Sequence, residues 1–496
     1  MRIQSVYKTI WENINSEGRL PSKFELLNEE AAPNEIRFVA GARDGIGIFH
    51  AAPHVPEKAV NEIYELLISG ETDGITPLIK EYRVLQIIDP LLNLIHENAS
   101  DAVLPGIEEY AEALAFRSND EEMVKLGISL LGIFDWSDKP SMQKMLITLG
   151  LYEELTLYVV VAAYEWENGN EVIFEIAQKV AGWGKIHAVE RLEPVNDEIR
   201  EWILREGCQN SVLDSYLGLT CAVKGDLIGA LRRDSLDAGL YESISIIINA
   251  LMDDPEDGIH EYAYTEEALL RYLQFSGQYA ATAKHLWHIL RVETQLEELA
   301  LSNKASLLKA CSEIKNRPVW RELIQTTLAD PWDENFFYAA NTAGRLSMDV
   351  QSLIYNAIKQ DPIEKALYLS MAYENPEYAK ELTVLYENVL PLGEIASGMG
   401  DSLFAQTLIH EHICLDYVLR ELRKYPQTGE QLLIATLRSP IIRERRAACV
   451  VLDEWTKTLA QPLQEVAPGL SSILEEIAPT EVDSDTEKVM KKLLGI

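Results

Sequence analysis

The sequence predicts an all-α fold, an α–α superhelix that follows a small N-terminal extension. The chain has 496 residues, and single hydrophobic cores stop growing at about 250–300 residues, so a chain of this length forms several domains or one stack of repeating units. Apolar residues recur at helical spacing over most of the chain, and no Gly/Ser-rich linker divides it. We therefore predict one continuous stack of about 20 helices.

The N-terminal extension, residues 1–55, differs from the rest of the chain. Two short apolar stretches, 36–40 and 46–50, flank the turn-forming sequence GARDG at 41–45. Apolar segments on either side of Asp-Gly are typical of a β-hairpin. The sequence thus predicts a hairpin over residues 36–50, the one place where strand is expected.

Residues 56–464 form the predicted helical body. In the segment 121–134, Met123, Leu126, Leu130 and Phe134 lie on one helix face, and Asn119 or Asp120 is suited to cap the helix. Several helices are predicted to begin at a capping residue followed by proline, because proline at the first helical position loses no hydrogen bond. These pairs are Asp89-Pro90, Asp254-Pro255, Asp330-Pro331, Asp361-Pro362, Asn375-Pro376 and Ser439-Pro440.

Charge and composition exclude several functions. With 44 Lys and Arg against 79 Asp and Glu, the net charge is −35, which disfavours binding to a nucleic-acid backbone or an anionic membrane surface. The N-terminus lacks a signal-peptide pattern, and the longest apolar run, residues 155–164, is half of a membrane span and predicts a buried helix. We predict a cytoplasmic protein. Five scattered cysteines fit buried side chains in a reducing compartment: Cys208, Cys221, Cys311, Cys414 and Cys449.

Two segments resemble the second helix of a HEAT-type repeat. Residues 445–452, RRAACVVL, match its arginine, small-residue and leucine pattern, and residues 123–132 match it with Gly127 at a small-residue position. The resemblance to HEAT and armadillo-like families implies a right-handed superhelix that offers an extended surface to a protein partner. Residues 184–194, GKIHAVERLEP, look like bacterial helical-repeat proteins, some of which are labelled limonene hydroxylase, but we find no oxygenase motif in the chain.

Histidines support an alternative function. Three are followed by glutamate, at His96-Glu97, His260-Glu261 and His410-Glu411. HEAT-type di-iron hydroxylases hold their metals with such pairs, so this similarity implies a metal-dependent, hydroxylase-like enzyme. That family needs four pairs in similar contexts, whereas these three have dissimilar surroundings. His285 and His288 are three residues apart on a predicted helix and could share a metal.

A basic segment runs against the acidic trend. Between residues 420 and 446 there are three acidic residues and seven basic ones: Arg420, Arg423, Lys424, Arg438, Arg443, Arg445 and Arg446. Residues 465–487 carry seven acidic residues and no basic one, within a tail, 465–496, that ends in a predicted capping helix. The basic segment is a candidate binding patch for an acidic partner, for acids of the adjacent repeat or for the chain's own tail.

These observations predict a non-enzymatic helical scaffold that binds a protein or peptide partner. No phosphate loop, dinucleotide fingerprint, zinc-protease motif or serine-hydrolase motif is present. No cofactor is expected. The metal-dependent enzyme and a structural subunit of a larger assembly are the alternatives, and the oligomeric state is left open.

Overall fold

Helices account for all the regular structure that is described. The computed structural model describes residues 4–22, 24–26, 38–51, 54–254 and 258–496. Across these ranges there are 30 α-helices and no β-strand, with a single isolated bridge between Ser402 and Ile441. The predicted all-α class is confirmed, whereas the superhelical path stays a prediction.

The described residues form two compact units. Unit 1 holds those within Met1–Glu30, Arg37–Ala280 and His288–Ser312, and unit 2 holds those within Ala281–Trp287 and Glu313–Ile496. Unit 1 therefore contains the N-terminal helices, and unit 2 contains both the basic segment 420–446 and the acidic tail.

Unit 1 is built from sixteen helices before residue 280: α1 Val6–Asn13, α2 Ala42–His50, α3 Glu57–Ser69, α4 Ile75–Tyr82, α5 Val84–Asn98, α6 Leu104–Arg117, α7 Glu121–Leu131, α8 Pro140–Gly150, α9 Glu153–Ala163, α10 Gly169–Ala177, α11 Gly182–Arg191, α12 Asp197–Trp202, α13 Ser215–Lys224, α14 Leu227–Leu231, α15 Ala238–Asp253 and α16 Thr265–Tyr279. Two helices contain residues of both units: α17 Ala283–Gln295 and α18 Lys304–Lys315.

Unit 2 continues with twelve helices: α19 Val319–Ala329, α20 Phe336–Arg345, α21 Gln351–Gln360, α22 Leu369–Ala372, α23 Pro376–Val389, α24 Leu392–Ile395, α25 Ile409–Leu422, α26 Glu430–Leu437, α27 Ile442–Leu459, α28 Leu463–Val466, α29 Pro468–Ile477 and α30 Ser484–Leu494. Short turns of 3₁₀-helix lie at Thr72–Gly74, Ala366–Tyr368 and Ala478–Thr480, and a π-helical turn lies at Ile203–Gly207.

The β-hairpin predicted over 36–50 is not formed in the described part of that segment. Residues 42–50 are helix α2, and residues 36 and 37 lie outside the described residues. Gly41 has φ +75° and ends the preceding turn, so the glycines that suggested a hairpin instead introduce a helix. Tertiary contacts made by Asp44 and Phe49 stabilise this helix, and local sequence patterns do not reveal such contacts.

Helix starts were only partly predictable. Asp120 caps α7 by accepting a hydrogen bond from the N–H of Met123 at 3.2 Å, and Asn375 caps α23 in front of Pro376. Pro90, in contrast, lies in the interior of α5, so the predicted helix start at Asp89-Pro90 is wrong.

The apolar run at 155–164 forms most of α9, and its side chains are largely buried, as predicted. No helix in the described ranges has the length and apolar content needed to cross a membrane. At the two ends of the chain, α1 packs against α6 and α8, while α30 packs against α27.

Candidate functional site

Helix α2 packs against a surface of unit 1 that is formed by side chains of α7, α9, α11 and α13. One end of this surface is charged and the other is aromatic. We call this surface the α2 groove, and it is defined by the following residues: Arg83, Glu122, Lys125, Glu154, Tyr158, Trp183, His187 and Tyr216.

Lys125 of α7 is the centre of the charged end. Its side chain is fully buried, with 0% exposed. The ammonium donates to Asp44 Oδ2 at 2.6 Å, to Glu122 Oε1 at 3.0 Å and to Glu154. Burial alone would lower the pKa of Lys125, but these three carboxylates outweigh it and raise that pKa above its ordinary value. Lys125 therefore stays charged.

Asp44 is the charged anchor of α2. Its carboxylate accepts hydrogen bonds from Lys125 Nζ and, at 2.9 Å, from the hydroxyl of Tyr158. Arg83 lies 3.4 Å from the same carboxylate. Burial would raise the pKa of Asp44, but the ammonium of Lys125 and the other donors lower it. Asp44 is thus held as an anion inside the protein.

Arg83 reaches the groove from a strained backbone. It lies between α4 and α5 with φ +65°, a conformation that non-glycine residues rarely adopt. Its guanidinium pairs with Glu122 at 2.8 Å, and the other oxygen of Glu122 accepts from the N–H of Val84 at 2.9 Å. Backbone strain of this kind persists only where surrounding contacts hold it, so Arg83 is fixed in place.

The three carboxylates Asp44, Glu122 and Glu154 lie close enough together to hold a metal ion. They are the single such group of His, Cys, Asp or Glu in the described ranges. The ammonium of Lys125 lies among them and donates to each. The arrangement is therefore an internal ion cluster, in which a lysine supplies the positive charge that three carboxylates need.

The aromatic end of the groove receives Phe49 of α2. Its ring centroid lies 4.8 Å from that of Tyr216 and 6.0 Å from that of Trp183, and Trp183 and Tyr216 are themselves 5.1 Å apart. His50, the last residue of α2, makes a 2.7 Å hydrogen bond with the hydroxyl of Tyr216. Ring contacts at these distances stabilise packing beyond the area they bury. Phe49 is the apolar anchor of α2.

Gly45 is the residue at which the backbone of α2 lies closest to the ring of Trp183. A methyl group at this position would overlap the indole ring of Trp183, whereas a methyl at Gly47 would meet only the flexible end of Leu85 at 3.1 Å. The main chain is also held at the start of α2, where the N–H of Gly41 donates to Glu154 at 2.6 Å. A small residue between the two anchors is thus a requirement of this fit.

His187 lies beneath Phe49 in an unusual state. Its side chain is 1% exposed, and neither ring nitrogen has a hydrogen-bond partner among the described residues. The rings of Phe49 and Trp183 lie near it, at 6.3 and 6.2 Å. Burial lowers the pKa of His187 to about 3, and the charge of Arg191 adds to this effect. The imidazole is therefore neutral, and its two polar atoms are unsatisfied.

The buried, neutral imidazole of His187 predicts that the stability of the fold depends on pH. The pKa of His187 falls to about 3 in the folded state, against about 6.5 when unfolded, so between about pH 6.5 and pH 3 only the unfolded chain takes up this proton. Stability should fall with decreasing pH from about 6.5, by up to about 1.4 kcal/mol per pH unit. Urea unfolding of wild type and His187→Phe at several pH values measures the difference in slope.

The control for this prediction is His96→Ala, which removes an exposed histidine of the same unit. We expect His96→Ala to keep the wild-type slope and His187→Phe to lose most of it. We compare the change of unfolding free energy with pH, and not the free energy itself. Packing strain from the larger phenyl ring is independent of pH and does not alter this slope. Equal slopes in all three proteins would contradict the buried neutral state of His187.

The predicted basic patch at 420–446 is largely paired within unit 2. Five of its seven cations contact a carboxylate: Lys424 with Glu421, Arg438 with Glu476, Arg443 with Asp416, Arg445 with Glu481 and Arg446 with Asp483. Three of these carboxylates belong to the acidic tail. Of the other two cations, Arg420 lies over the ring of Tyr417. Arg423 is half-buried, and its Nε has no hydrogen-bond partner within the ranges that the structure describes.

Arg445 forms the most buried of these ion pairs. Its side chain and that of Glu481 are both 0% exposed, with Nε 2.7 Å from Glu481 Oε2. The guanidinium also donates to the carbonyl oxygens of Ser439 at 2.8 Å and Gly400 at 2.9 Å. Burial would raise the pKa of Glu481, but its hydrogen bonds with Arg445 lower it. This pair fastens the acidic tail to α27.

The predicted His-Glu pairs lie on the surface. His96, Glu97, His260, Glu261 and His410 are exposed, and Glu411 is partly exposed. His410 Nδ1 lies 3.2 Å from Glu364, where both side chains are well exposed. None of these residues belongs to the one metal-compatible group of the described residues.

His285 and His288 are buried and engage protein atoms. Nδ1 of His288 makes a 2.8 Å hydrogen bond with Ser245, which in turn bonds to Tyr272 at 2.9 Å. His285 Nδ1 accepts from the N–H of Ala281 at 3.3 Å. Both contacts are typical of packing and helix ends.

Sequence reasoning missed the groove because its parts are far apart in the chain. One signal was available at Lys125, which is a single charge within the apolar run MVKLGISLL of α7. Lysine is almost never fully buried unless it is paired. The four residues before and after it give no indication that the partners are Asp44 and Glu154.

Neither the known family models nor the curated proteins that we compared with this chain match it.

Proposed function

We propose that this chain is a non-enzymatic, all-helical scaffold that binds a protein or peptide partner, and that the partner presents a helix to the α2 groove. The observation that carries the proposal is α2 itself, a nine-residue helix seated by one charged and one aromatic anchor. A helix laid into a groove through a few spaced side chains is a common mode of peptide recognition.

The groove has the features of a binding surface. Aromatic and arginine side chains dominate the binding energy of protein interfaces, and here Trp183, Tyr216 and Arg83 face the docked helix. Lys125 and Arg83 are fixed by their own acidic partners before any ligand binds. Such preorganisation reduces the entropy that binding costs. The partner helix would present a carboxylate and an aromatic side chain, as α2 does.

The other predicted sites support the proposal less well. Most cations of the 420–446 segment are already paired with carboxylates of the chain. The metal-dependent enzyme would need ligands that converge, and the group of carboxylates that does converge holds Lys125. We also propose a cytoplasmic location, because all five cysteines are buried inside the helical units and buried thiols of this kind are typical of a reducing compartment.

A binding assay tests the groove directly. The full chain with Asp44→Ala and Phe49→Ala loses both α2 anchors but keeps every groove residue. A labelled peptide of residues 38–51 should bind this variant with a dissociation constant of about 1–100 μM by fluorescence polarisation. The physical reason is that the peptide carries the same carboxylate and aromatic anchors as α2.

Two controls make the assay specific. A peptide with Asp44→Ala and Phe49→Ala should bind at least about tenfold more weakly, since the two anchors together should contribute more than about 1.4 kcal/mol. Adding Tyr216→Ala to the chain variant should weaken the unchanged peptide similarly, because it removes part of the aromatic end. If the unchanged peptide fails to bind a chain variant that retains its helical circular dichroism, the α2 groove is not a helix-binding site.

A further inference from the structure

We infer that α2 is an internal ligand that a partner helix displaces, so that the chain is self-inhibited when α2 is docked. This inference rests on the proposed function, and it adds both the regulation of the groove and the pattern of the partner. The pattern is that of α2 itself: a carboxylate at the position of Asp44, a small residue at that of Gly45 and an aromatic at that of Phe49.

The charges of the groove determine how readily α2 can be released. Without α2, the charged end contains Lys125 and Arg83 against Glu122 and Glu154, two formal positive and two formal negative charges. Asp44 adds a third carboxylate and makes the cluster formally −1. The groove is therefore balanced before α2 arrives. A segment that the unit needed for charge balance would be difficult to release, and α2 is not such a segment.

Docked α2 covers the imidazole of His187. With α2 docked, both ring nitrogens are buried beneath Phe49 without a hydrogen-bond partner in the described part of the chain. A buried polar group that loses water and gains no hydrogen bond destabilises the state that buries it. The docked form of α2 is thus not the best occupant that the groove could have. A partner helix that also offers His187 a hydroxyl, amide or carboxylate would bind more tightly.

Helix α2 is short. A helix of nine residues is shorter than the roughly 12–15 residues that are marginally stable alone in water, so α2 is helical because it is docked. Its release therefore couples to unfolding of the segment, and a competing helix does not have to separate two folded bodies. Its docking contacts include those of Gly41, Asp44, Gly45, Phe49 and His50.

Two glycines of α2 provide a matched test. Gly45→Ala places a methyl against Trp183 and should undock α2, whereas Gly47→Ala makes the same chemical change two residues later, where only the flexible Leu85 is near. Both substitutions favour helix in the same way. Neither changes a residue of the groove, so the groove stays intact in both full-length variants.

The experiment measures binding of the labelled 38–51 peptide, with its native Gly45, to wild type, Gly45→Ala and Gly47→Ala. The apparent affinity of the peptide equals its intrinsic affinity multiplied by the fraction of chains whose groove is free. Release of α2 raises this fraction and therefore raises the apparent affinity. We expect the peptide to bind Gly45→Ala at least about tenfold more tightly than wild type. Gly47→Ala should bind no more tightly than wild type. Hydrogen exchange of the amides of residues 41–50 should accelerate in Gly45→Ala, and in wild type when peptide is added.

The outcomes separate this inference from the proposed function. Equal affinity for wild type, Gly45→Ala and the variant that lacks both anchors would overturn the inference and leave the groove as a binding site. Absence of binding to all of them, with hydrogen exchange confirming that α2 is released in Gly45→Ala, would overturn the proposed function itself. Tighter binding to Gly47→Ala than to Gly45→Ala would also overturn the inference, because helix propensity and not docking would then control the affinity.

Discussion

Lys125→Met is expected to lower the free energy of unfolding of unit 1 by about 3–5 kcal/mol, because breaking a buried ion pair on one side leaves uncompensated charge. Lys125 is fully buried and donates to Asp44, Glu122 and Glu154. Methionine has a similar volume, so the loss is electrostatic and not a cavity effect. After the substitution, three carboxylates would face the single positive charge of Arg83. Urea denaturation followed by circular dichroism measures the change.

A second substitution tests the cause of this effect. Adding Asp44→Asn to Lys125→Met removes one of the excess negative charges while keeping the shape of the side chain, so part of the lost stability should return. Lys144→Met, which changes an exposed lysine on the neighbouring α8, should alter stability by no more than about 0.5 kcal/mol. If Lys125→Met behaves like Lys144→Met, the cluster does not hold the unit together.

Arg445→Met is expected to destabilise unit 2 by a comparable amount, about 3–5 kcal/mol. Arg445 and Glu481 form an ion pair with no exposed side-chain surface. Without the guanidinium, Glu481 would be a buried anion, and the carbonyls of Ser439 and Gly400 would lose donors. We expect the acidic tail to separate from α27, which limited proteolysis within residues 478–496 would detect.

The same helix contains a matched control. Arg443 pairs with Asp416 at 2.6 Å, but its side chain is 62% exposed. Exposed ion pairs contribute about 0–1 kcal/mol, so Arg443→Met should leave both the unfolding midpoint and the proteolysis pattern nearly unchanged. Similar losses in the two variants would show that burial is not what gives the Arg445 pair its strength.

The pairing of Glu481 with Arg445 also makes stability depend on pH. Its pKa is lowered in the folded state through Arg445, so its contribution is present above the unfolded value of about 4.3 and is lost as the pH falls below it. The Arg445→Met variant should therefore lose less stability than wild type when the pH is lowered through this range. His187 acts at higher pH, since its unfolded pKa is about 6.5.

Helical periodicity made the all-α class predictable, because it records which face of each helix is buried. The apolar run at 155–164 was predicted to be a buried helix, and α9 is one. The contrast between the basic segment and the acidic tail was visible in the sequence, and one of the alternatives for it, pairing within the chain, is what Arg438, Arg445 and Arg446 do.

The hairpin prediction failed for a different reason. The sequence GARDGIGIFH at 41–50 contains a turn-like Asp-Gly and alternating isoleucines, and local rules favour strand for such a pattern. Docking reverses this preference, since Asp44 binds Lys125, 81 residues away, and Phe49 packs on Tyr216. Contacts between residues so distant in sequence leave no local pattern, and a nine-residue helix depends on them.

The sequence by itself determined the helical class, the acidic surface and the opposite charges of residues 420–446 and the tail, because each of these depends on residue type and spacing within short segments. Only the tertiary structure decided that Lys125 is fully buried among three carboxylates, that His187 has no hydrogen-bond partner among the residues described, and that α2 packs against Tyr158, Trp183 and Tyr216. Burial and pairing depend on which distant segments meet, and the free energy of a charge changes several-fold between water and the protein interior. The candidate binding site of this protein is therefore a property of its packing.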